Sequence, residues 1–125
     1  MHLKHKTVRR QEMKTGITTH VLDLIQGLPG SNIHVELWQY KDLERLLLSS
    51  AITNADGRIE QPLLDELIPG EFEIVFYLKD YWQSTKTTNV LFETVPIRFI
   101  VKEGETHYHI PLLLSAWGYQ TYRGS

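Results

Sequence analysis

A stretch of alternating side chains in the middle of the chain decides the fold: Phe72-Glu73-Ile74-Val75-Phe76-Tyr77-Leu78. Every second residue from Phe72 onward carries a large apolar side chain. Because successive side chains of a β-strand point to opposite faces, these four apolar residues share one face. The stretch is therefore predicted to be a β-strand that buries one face in a core.

Further stretches on both sides have the same two-residue period or a strand-like composition. They are residues 17–24, 33–37, 95–101 and 108–115. Turn-forming residues stand between several of them, at Gly27 to Gly30, at Asp56-Gly57 and at Pro69-Gly70. Many short strands separated by turns predict an all-β sandwich.

Two segments leave their structure open. Residues 42–50 carry Leu43, Leu46 and Leu47 at positions that also fit one face of a helix. Residues 80–88 are polar and aromatic, and could hold either one short helix or a loop. The three tryptophans, Trp38, Trp82 and Trp117, are most simply interpreted as core or interface aromatics.

Size and composition limit the class of protein. A chain of 125 residues is long enough for one domain. Its formal charge of −2 gives no electrostatic reason to expect a nucleic-acid partner. The lack of cysteine excludes disulfides and thiol catalysis. No apolar stretch approaches the ~18 residues that a membrane-spanning helix needs, so no membrane partner is predicted.

The amino-terminal residues differ from the rest. The first fourteen carry five of the thirteen Lys and Arg residues, and they lack the apolar core of a secretory signal. We expect residues 1–15 to be a basic, flexible leader and residues 16–125 to form the domain. A basic targeting or nucleic-acid-binding arm is the alternative, but Glu12 interrupts the charge run. The absence of an evident signal favours a cytoplasmic location.

Three elements carry groups suited to acid–base chemistry: residues 18–23, residues 56–58, and the run from His107 to the end of the chain. Histidine can exchange a proton near neutral pH. Arginine stays charged and presents a fork of donors to an oxyanion or a planar amide. Two imidazoles and a guanidinium brought together would suit hydrolysis of a polar cyclic amide.

Each of these signals is weak when taken singly. A lone histidine in a strand is more often structural, and Arg58 after a turn is more often a solvated charge. His107 and His109 lie on one face of a strand and could bind a metal with His20 as third ligand, although zinc usually takes three or four ligands. Asp23 points away from the face that carries His20, so a role in turn or edge hydrogen bonding is favoured for it.

The segments become specific when they are joined. Thr19 to Asp23, Asp56 to Arg58, His107 to Leu113 and Tyr122 to Ser125 together resemble the 5-hydroxyisourate hydrolases, the transthyretin-related enzymes of purine degradation. The resemblance runs from about Gly16 to the last residue. Transthyretin, the hormone carrier of the same fold, lacks the terminal tetrapeptide and the catalytic histidines and arginine. Departures from the family pattern at residues 45–54 and 116–117 concern loop detail.

The resemblance implies a prealbumin-like (transthyretin-like) β-sandwich with one short helix. It also implies a homotetramer, a dimer of dimers with active sites in the channel between the dimers, and a reaction without metal or organic cofactor. The substrate would be 5-hydroxyisourate, and the product 2-oxo-4-hydroxy-4-carboxy-5-ureidoimidazoline. The alternatives are a non-enzymatic, transthyretin-like protein that binds a small ligand in the channel, and a metal-dependent hydrolase.

The same resemblance assigns residues to the site. His20, Arg58 and His109 would be catalytic, and His107 would support them or lie on the rim. The terminal residues would close the pocket and bind the substrate, with Ser125 acting through its hydroxyl or through the terminal carboxylate. These substrate-binding residues are Tyr122, Arg123, Gly124 and Ser125.

Overall fold

The computed structural model describes residues 15–125, which form eight strands and one short helix. Except for Thr15, the predicted leader lies outside the described residues. In chain order the elements are β1 (Gly16–Asp23), β2 (Leu28–Pro29), β3 (His34–Lys41), β4 (Glu44–Ile52), β5 (Gly70–Tyr77), α1 (Lys79–Ser84), β6 (Thr94–Val101), β7 (His107–Leu114) and β8 (Tyr119–Thr121).

The strands form two four-stranded sheets. One sheet has the order β2-β1-β7-β8 and the other the order β4-β3-β5-β6. Strands β1 and β7 run parallel, whereas the other neighbouring strands of these sheets run antiparallel. The predicted all-β sandwich with one short helix is confirmed, and its parallel pair joins elements from opposite ends of the chain.

The core lies between the sheets and follows the predicted alternation. On β5, Phe72, Ile74 and Phe76 have no exposed surface, and on the facing sheet Val21 and Leu112 are equally buried. Full burial of an aliphatic or aromatic side chain stabilises a fold by roughly 1.5–3 kcal/mol. The stretch that decides the fold is thus a central strand, and its alternating apolar residues form the inner face of that strand.

Residues 42–50 do not form a helix, so the helical interpretation of that segment is wrong. Strand β4 pairs with β3 in a hairpin, and Lys41 lies opposite Glu44. Asp42 adopts a φ of 60° at the turn, a left-handed conformation that aspartate tolerates. The side chains of Leu43 and Leu46 are exposed. Cross-strand pairing therefore decided this segment, although its leucine spacing also fitted a helix.

Two smaller expectations are refined. The turn at Gly27 to Gly30 contains the short edge strand β2, which pairs with the end of β1. Trp82 lies in the core and donates its Nε1–H to the carbonyl of Phe92, whereas the side chain of Trp117 is 69% exposed. The tryptophans therefore do not form a common set.

Strand β1 divides its residues between the core and the outer face of the sheet. Asp23 is on the core side, where its carboxylate accepts hydrogen bonds from the Tyr81 hydroxyl at 2.7 Å and the Ile25 amide at 2.9 Å. This confirms that Asp23 points away from His20 and serves turn hydrogen bonding. On the outer face of this sheet lie His20 of β1 and the histidines His107 and His109 of β7.

Candidate active site

An open cavity of about 900 Å³ lies on the outer face of the sheet that contains β1 and β7. Its walls come from these two strands, from the turn that follows β4 and from the chain after β8. The lining residues are Thr18, Thr19, His20, Leu22, Arg58, Ile59, His107, His109, Pro111, Tyr122, Gly124 and Ser125. The structure therefore brings together all the predicted site residues except Arg123.

The turn at residues 56–58 is fixed beside β1 by backbone contacts. The amide of Val21 donates to the carbonyl of Gly57 at 2.8 Å. His20 and Arg58 are thereby paired as an isolated antiparallel bridge between β1 and the turn. Gly57 has a φ of +76°, and a Cβ at this position would collide with the carbonyl oxygen of Val21. A glycine is therefore needed for the turn to approach the strand this closely.

The same turn orients the imidazole of His20. Its Nε2 lies 3.0 Å from the backbone carbonyl oxygen of Asp56. A carbonyl can only accept, so Nε2 must carry the proton that it donates. In the neutral ring the lone pair is then on Nδ1, which fixes the tautomer of His20.

Burial and charge keep His20 neutral. Desolvation lowers the pKa of this imidazole, and the nearby Arg58 guanidinium lowers it further. The hydrogen bond to the Asp56 carbonyl and the negative charge of the Asp56 carboxylate raise the pKa, but they are smaller causes. The ring therefore remains unprotonated to a lower pH than an exposed histidine, for which the pKa is about 6.5.

His107 and His109 share one hydroxyl group. The Oγ1 of Thr18 lies 2.9 Å from Nε2 of His107 and 2.9 Å from Nδ1 of His109. The two rings stack with centroids 6.2 Å apart. His107 thus lies beside His109 in the cavity wall, which agrees with a supporting position.

The residues after β8 return to β7 and contact His109. The amide of Gly124 donates to the carbonyl of His109 at 2.7 Å. A Cβ at Gly124 would lie only 2.7 Å from Cδ2 of the His109 ring. The ring is therefore held between Thr18 and the backbone at Gly124.

Arg123 is the predicted substrate-binding residue that is not among the lining residues of the cavity. Its guanidinium donates to the carboxylate of Glu105 at 2.6 Å and to the carbonyl of His107 at 3.0 Å. It also lies 4.0 Å from the centroid of the Tyr108 ring. These contacts fasten the terminal segment to β7, and a substrate contact of Arg123 stays a prediction.

The alternative of a histidine metal site has no three-ligand cluster in residues 15–125. Within that range, no group of three or more His, Asp or Glu side chains is placed to hold a metal ion, and His20 does not complete one with His107 and His109.

The described helix is too short to cross a membrane.

The sequence left three supporting groups without a role. These are the hydroxyl of Thr18, the backbone carbonyl of Asp56 and the carboxylate of Glu105. Thr18 could have been found, because it lies two residues before His20 and therefore on the same face of β1. The other two depend on contacts between distant segments, which no local pattern indicates.

Both the sequence and the fold of this chain are similar to those of known proteins. Residues 17–124 match the model of the HIUase/Transthyretin family. The 5-hydroxyisourate hydrolase of Mesorhizobium japonicum is 45% identical over 114 residues, which cover 87% of this chain and 91% of that protein.

Two solved structures share the fold. The 5-hydroxyisourate hydrolase of Klebsiella pneumoniae has a TM-score of 0.73 and 28% identity, covering 87% of this chain and 98% of its own. Transthyretin from Sparus aurata has a TM-score of 0.79 and 26% identity, covering 88% and 97%. The match of the family model to almost all the described residues, together with these relatives, shows that this chain belongs to the HIUase/Transthyretin family.

Proposed function

We propose that this chain is a 5-hydroxyisourate hydrolase, which opens its substrate to 2-oxo-4-hydroxy-4-carboxy-5-ureidoimidazoline. The observation that carries the proposal is the single cavity lined by His20, Arg58 and His109 in a member of this family. Relatives that cover most of the chain are named for this activity, at 36–45% identity. Transthyretin shares the fold, so the fold alone would not distinguish an enzyme from a carrier.

In this proposal the two imidazoles activate and orient the attacking water. The lone pair of His20 is on Nδ1, because Nε2 donates to the carbonyl of Asp56. Its lowered pKa keeps that lone pair available at neutral pH. His109 lines the same cavity and is the second candidate base.

The cation and the terminal segment hold the substrate. Arg58 presents a fork of donors that matches a planar, polar ring and stabilises the oxyanion as it forms. Tyr122 and Ser125 line the cavity on the opposite side and position the ring, while Gly124 lets the segment lie against His109. Arg123 contributes indirectly, through its contact with Glu105.

The reaction is the hydrolytic opening of a lactam. The water oxygen forms a bond to the carbonyl carbon and gives one proton to an imidazole. The carbon–nitrogen bond then breaks, and the nitrogen leaves with a proton returned by the protonated imidazole. The products of this step are an N–H group and a carboxylic acid, which releases its proton to solvent and becomes a carboxylate, and no electrons are exchanged.

We further propose that the working enzyme is a homotetramer, a dimer of dimers in which paired copies enclose the site. The openness of the cavity in one chain supports this, because enclosure would exclude bulk water and strengthen the interaction with Arg58. Light scattering of the purified protein should give about four times the chain mass of 14.6 kDa. A monomer with full activity would contradict the enclosed site.

The cytoplasmic location stays a prediction.

The activity is tested by following the ultraviolet absorbance of freshly generated 5-hydroxyisourate with and without the protein, in the presence of a chelator. Accelerated decay under chelation is expected, because every proposed step uses protein side chains. Decay at the spontaneous rate from folded protein would favour the small-ligand carrier. Acceleration that the chelator abolishes would favour the metal-dependent hydrolase instead.

A further inference from the structure

We infer that Thr18 is a positioning residue that sets the tautomer of His109 by linking it to His107. In this arrangement the Thr18 hydroxyl accepts a hydrogen bond from Nδ1–H of His109 and donates one to Nε2 of His107. The lone pair of His109 is then on Nε2, where it serves as a base. The inference rests on the proposed hydrolase activity for the catalytic use of that lone pair and for the choice among the possible hydrogen-bond arrangements.

The strand register brings the three groups together. In the parallel pair, Thr18 lies opposite His109, and His107 lies opposite Gly16. His107 and His109 are two residues apart on β7, so their side chains lie on the same face of the strand. Both nitrogens reach the same Oγ1 at 2.9 Å, a normal distance for a hydrogen bond between nitrogen and oxygen.

Proton counting restricts the possible arrangements. A hydroxyl has one proton, so it can donate only once, although it can accept twice. Each facing ring nitrogen is either a donor that carries a proton or an acceptor that does not. Nε2 of His107 and Nδ1 of His109 therefore cannot both be acceptors, and if both donated, the hydroxyl proton would be used by neither ring. When one nitrogen donates and the other accepts, every proton is used, and the tautomers of the two rings are coupled through Thr18.

Catalysis selects among the arrangements that remain. If Nδ1 of His109 donates to Thr18, this hydrogen bond is kept when Nε2 takes a proton, because an imidazolium donates from both nitrogens. If Nδ1 instead accepted, protonation would place two donors against each other and the hydroxyl would have to turn away. The first arrangement needs no reorganisation during the reaction, which is the property of a preorganised site.

The residue type fits this role. Threonine is branched at Cβ, so its side chain has few rotamers in a strand and its hydroxyl is held in one direction. Valine has the same shape without the hydroxyl, and serine has the hydroxyl without the methyl group. Thr85, which follows helix α1, offers a control outside the cavity, because its hydroxyl lies 2.8 Å from that of Thr87.

The first test measures the tautomer directly in the unmodified protein. Long-range proton–nitrogen NMR spectra of histidine-labelled protein, recorded above pH 7.5 without substrate, distinguish a protonated Nδ1 from a protonated Nε2. We expect His109 and His107 both to be protonated at Nδ1. A neutral His109 protonated at Nε2 would overturn the inference, whether or not the protein proves to be a hydrolase.

The second test measures turnover. Thr18→Val should lower kcat by at least ~10-fold with KM within about threefold, since a wrong tautomer of a catalytic histidine can cost ~10⁴ in rate. Thr18→Ser should recover most of the rate and the wild-type tautomer, and Thr85→Val should leave both unchanged. Wild-type turnover in Thr18→Val would refute the positioning role. An inactive wild-type protein would instead refute the proposed function, and the NMR result would still decide the tautomer.

Discussion

The two imidazoles proposed as bases, those of His20 and His109, are held by different kinds of partner. His20 donates to the backbone carbonyl of Asp56, which can only accept. His109 contacts the hydroxyl of Thr18, which can accept or donate and which also contacts His107. The backbone alone therefore fixes the tautomer of His20, whereas that of His109 depends on a second side chain.

This difference separates two ways of preparing a base. The support of His20 is as rigid as the turn that carries Asp56, and a side-chain substitution at Asp56 leaves the carbonyl in place. The hydrogen bond between Thr18 and His109 can be removed by deleting one hydroxyl group. Backbone support thus resists mutation, and side-chain support gives coupling between neighbouring rings.

The largest effect is expected from replacing the imidazoles while keeping their supports. His20→Gln retains a donor toward Asp56, and His109→Asn retains one toward Thr18. Each should lower kcat by ~10²-fold or more, because general-base catalysis is typically worth 10²–10⁴. Ultraviolet assays of the two variants measure this.

His34→Gln is the control for these variants. His34 is a histidine on β3, in the other sheet, where it contacts Glu36. The His34→Gln variant should retain wild-type turnover, which would show that losing an imidazole does not by itself reduce the rate. Near-normal turnover in both site variants would contradict their proposed roles.

Moving the turn beside His20 should have the next largest effect. Gly57→Ala places a Cβ against the carbonyl of Val21, at a φ of +76°. We expect a loss of about 1–3 kcal/mol in the free energy of unfolding from strain of this kind, with a large fall in kcat. Denaturant unfolding and the ultraviolet assay measure the two quantities.

Gly27→Ala provides the matched comparison for Gly57. Gly27 has a similar φ of +72°, but a Cβ there would meet no atom within 4 Å. The variant should therefore share the backbone strain without the collision, and it should keep its activity. Equal losses of activity in the two variants would mean that the position of the turn is not what matters.

A smaller effect is expected at the backbone beside His109. Gly124→Ala would place a methyl group 2.7 Å from Cδ2 of the ring, so the ring must shift. Because a displacement of about 1 Å can cost ~10²-fold, a tenfold or greater fall in kcat is expected, with little change in stability. Gly118→Ala, where a Cβ meets nothing within 4 Å, should behave like the wild type.

The smallest effect is a change in the titration of His20. The positive charge of Arg58 is the second cause of its lowered pKa, after burial. Arg58→Met removes that charge, which favours the protonated ring, so the pKa of His20 should rise toward the value of an exposed histidine. NMR titration of the ring measures this without requiring activity.

Arg98→Met is the charge-matched control for this titration. Arg98 lies on β6 over the Tyr40 ring, in the other sheet. Its removal should leave the titration of His20 unchanged. A fall in the His20 pKa on replacing Arg58 would show that the guanidinium does not act on the ring through its charge.

The strands and the composition of the site could be predicted because they depend on local patterns. Alternation along residues 72–78 predicted β5, and parity along residues 107–109 placed two histidines on one face. Arg123 could not be placed in this way, because its partner Glu105 lies beyond the turn before β7. The segment 42–50 was left open for a related reason, since its structure depended on pairing with β3.

The sequence by itself determined the two-residue periods, the turns and the set of polar groups that resembles a hydrolase. These features arise from neighbouring residues and from the steric limits of single backbone positions such as Gly57. Only the tertiary structure decided that β1 runs parallel to β7 and that one hydroxyl links two imidazoles. The contacts of Thr18 with His107 and His109 join residues about ninety positions apart. A local sequence pattern cannot bring such residues together, whereas burial of the core that β1 and β7 share does.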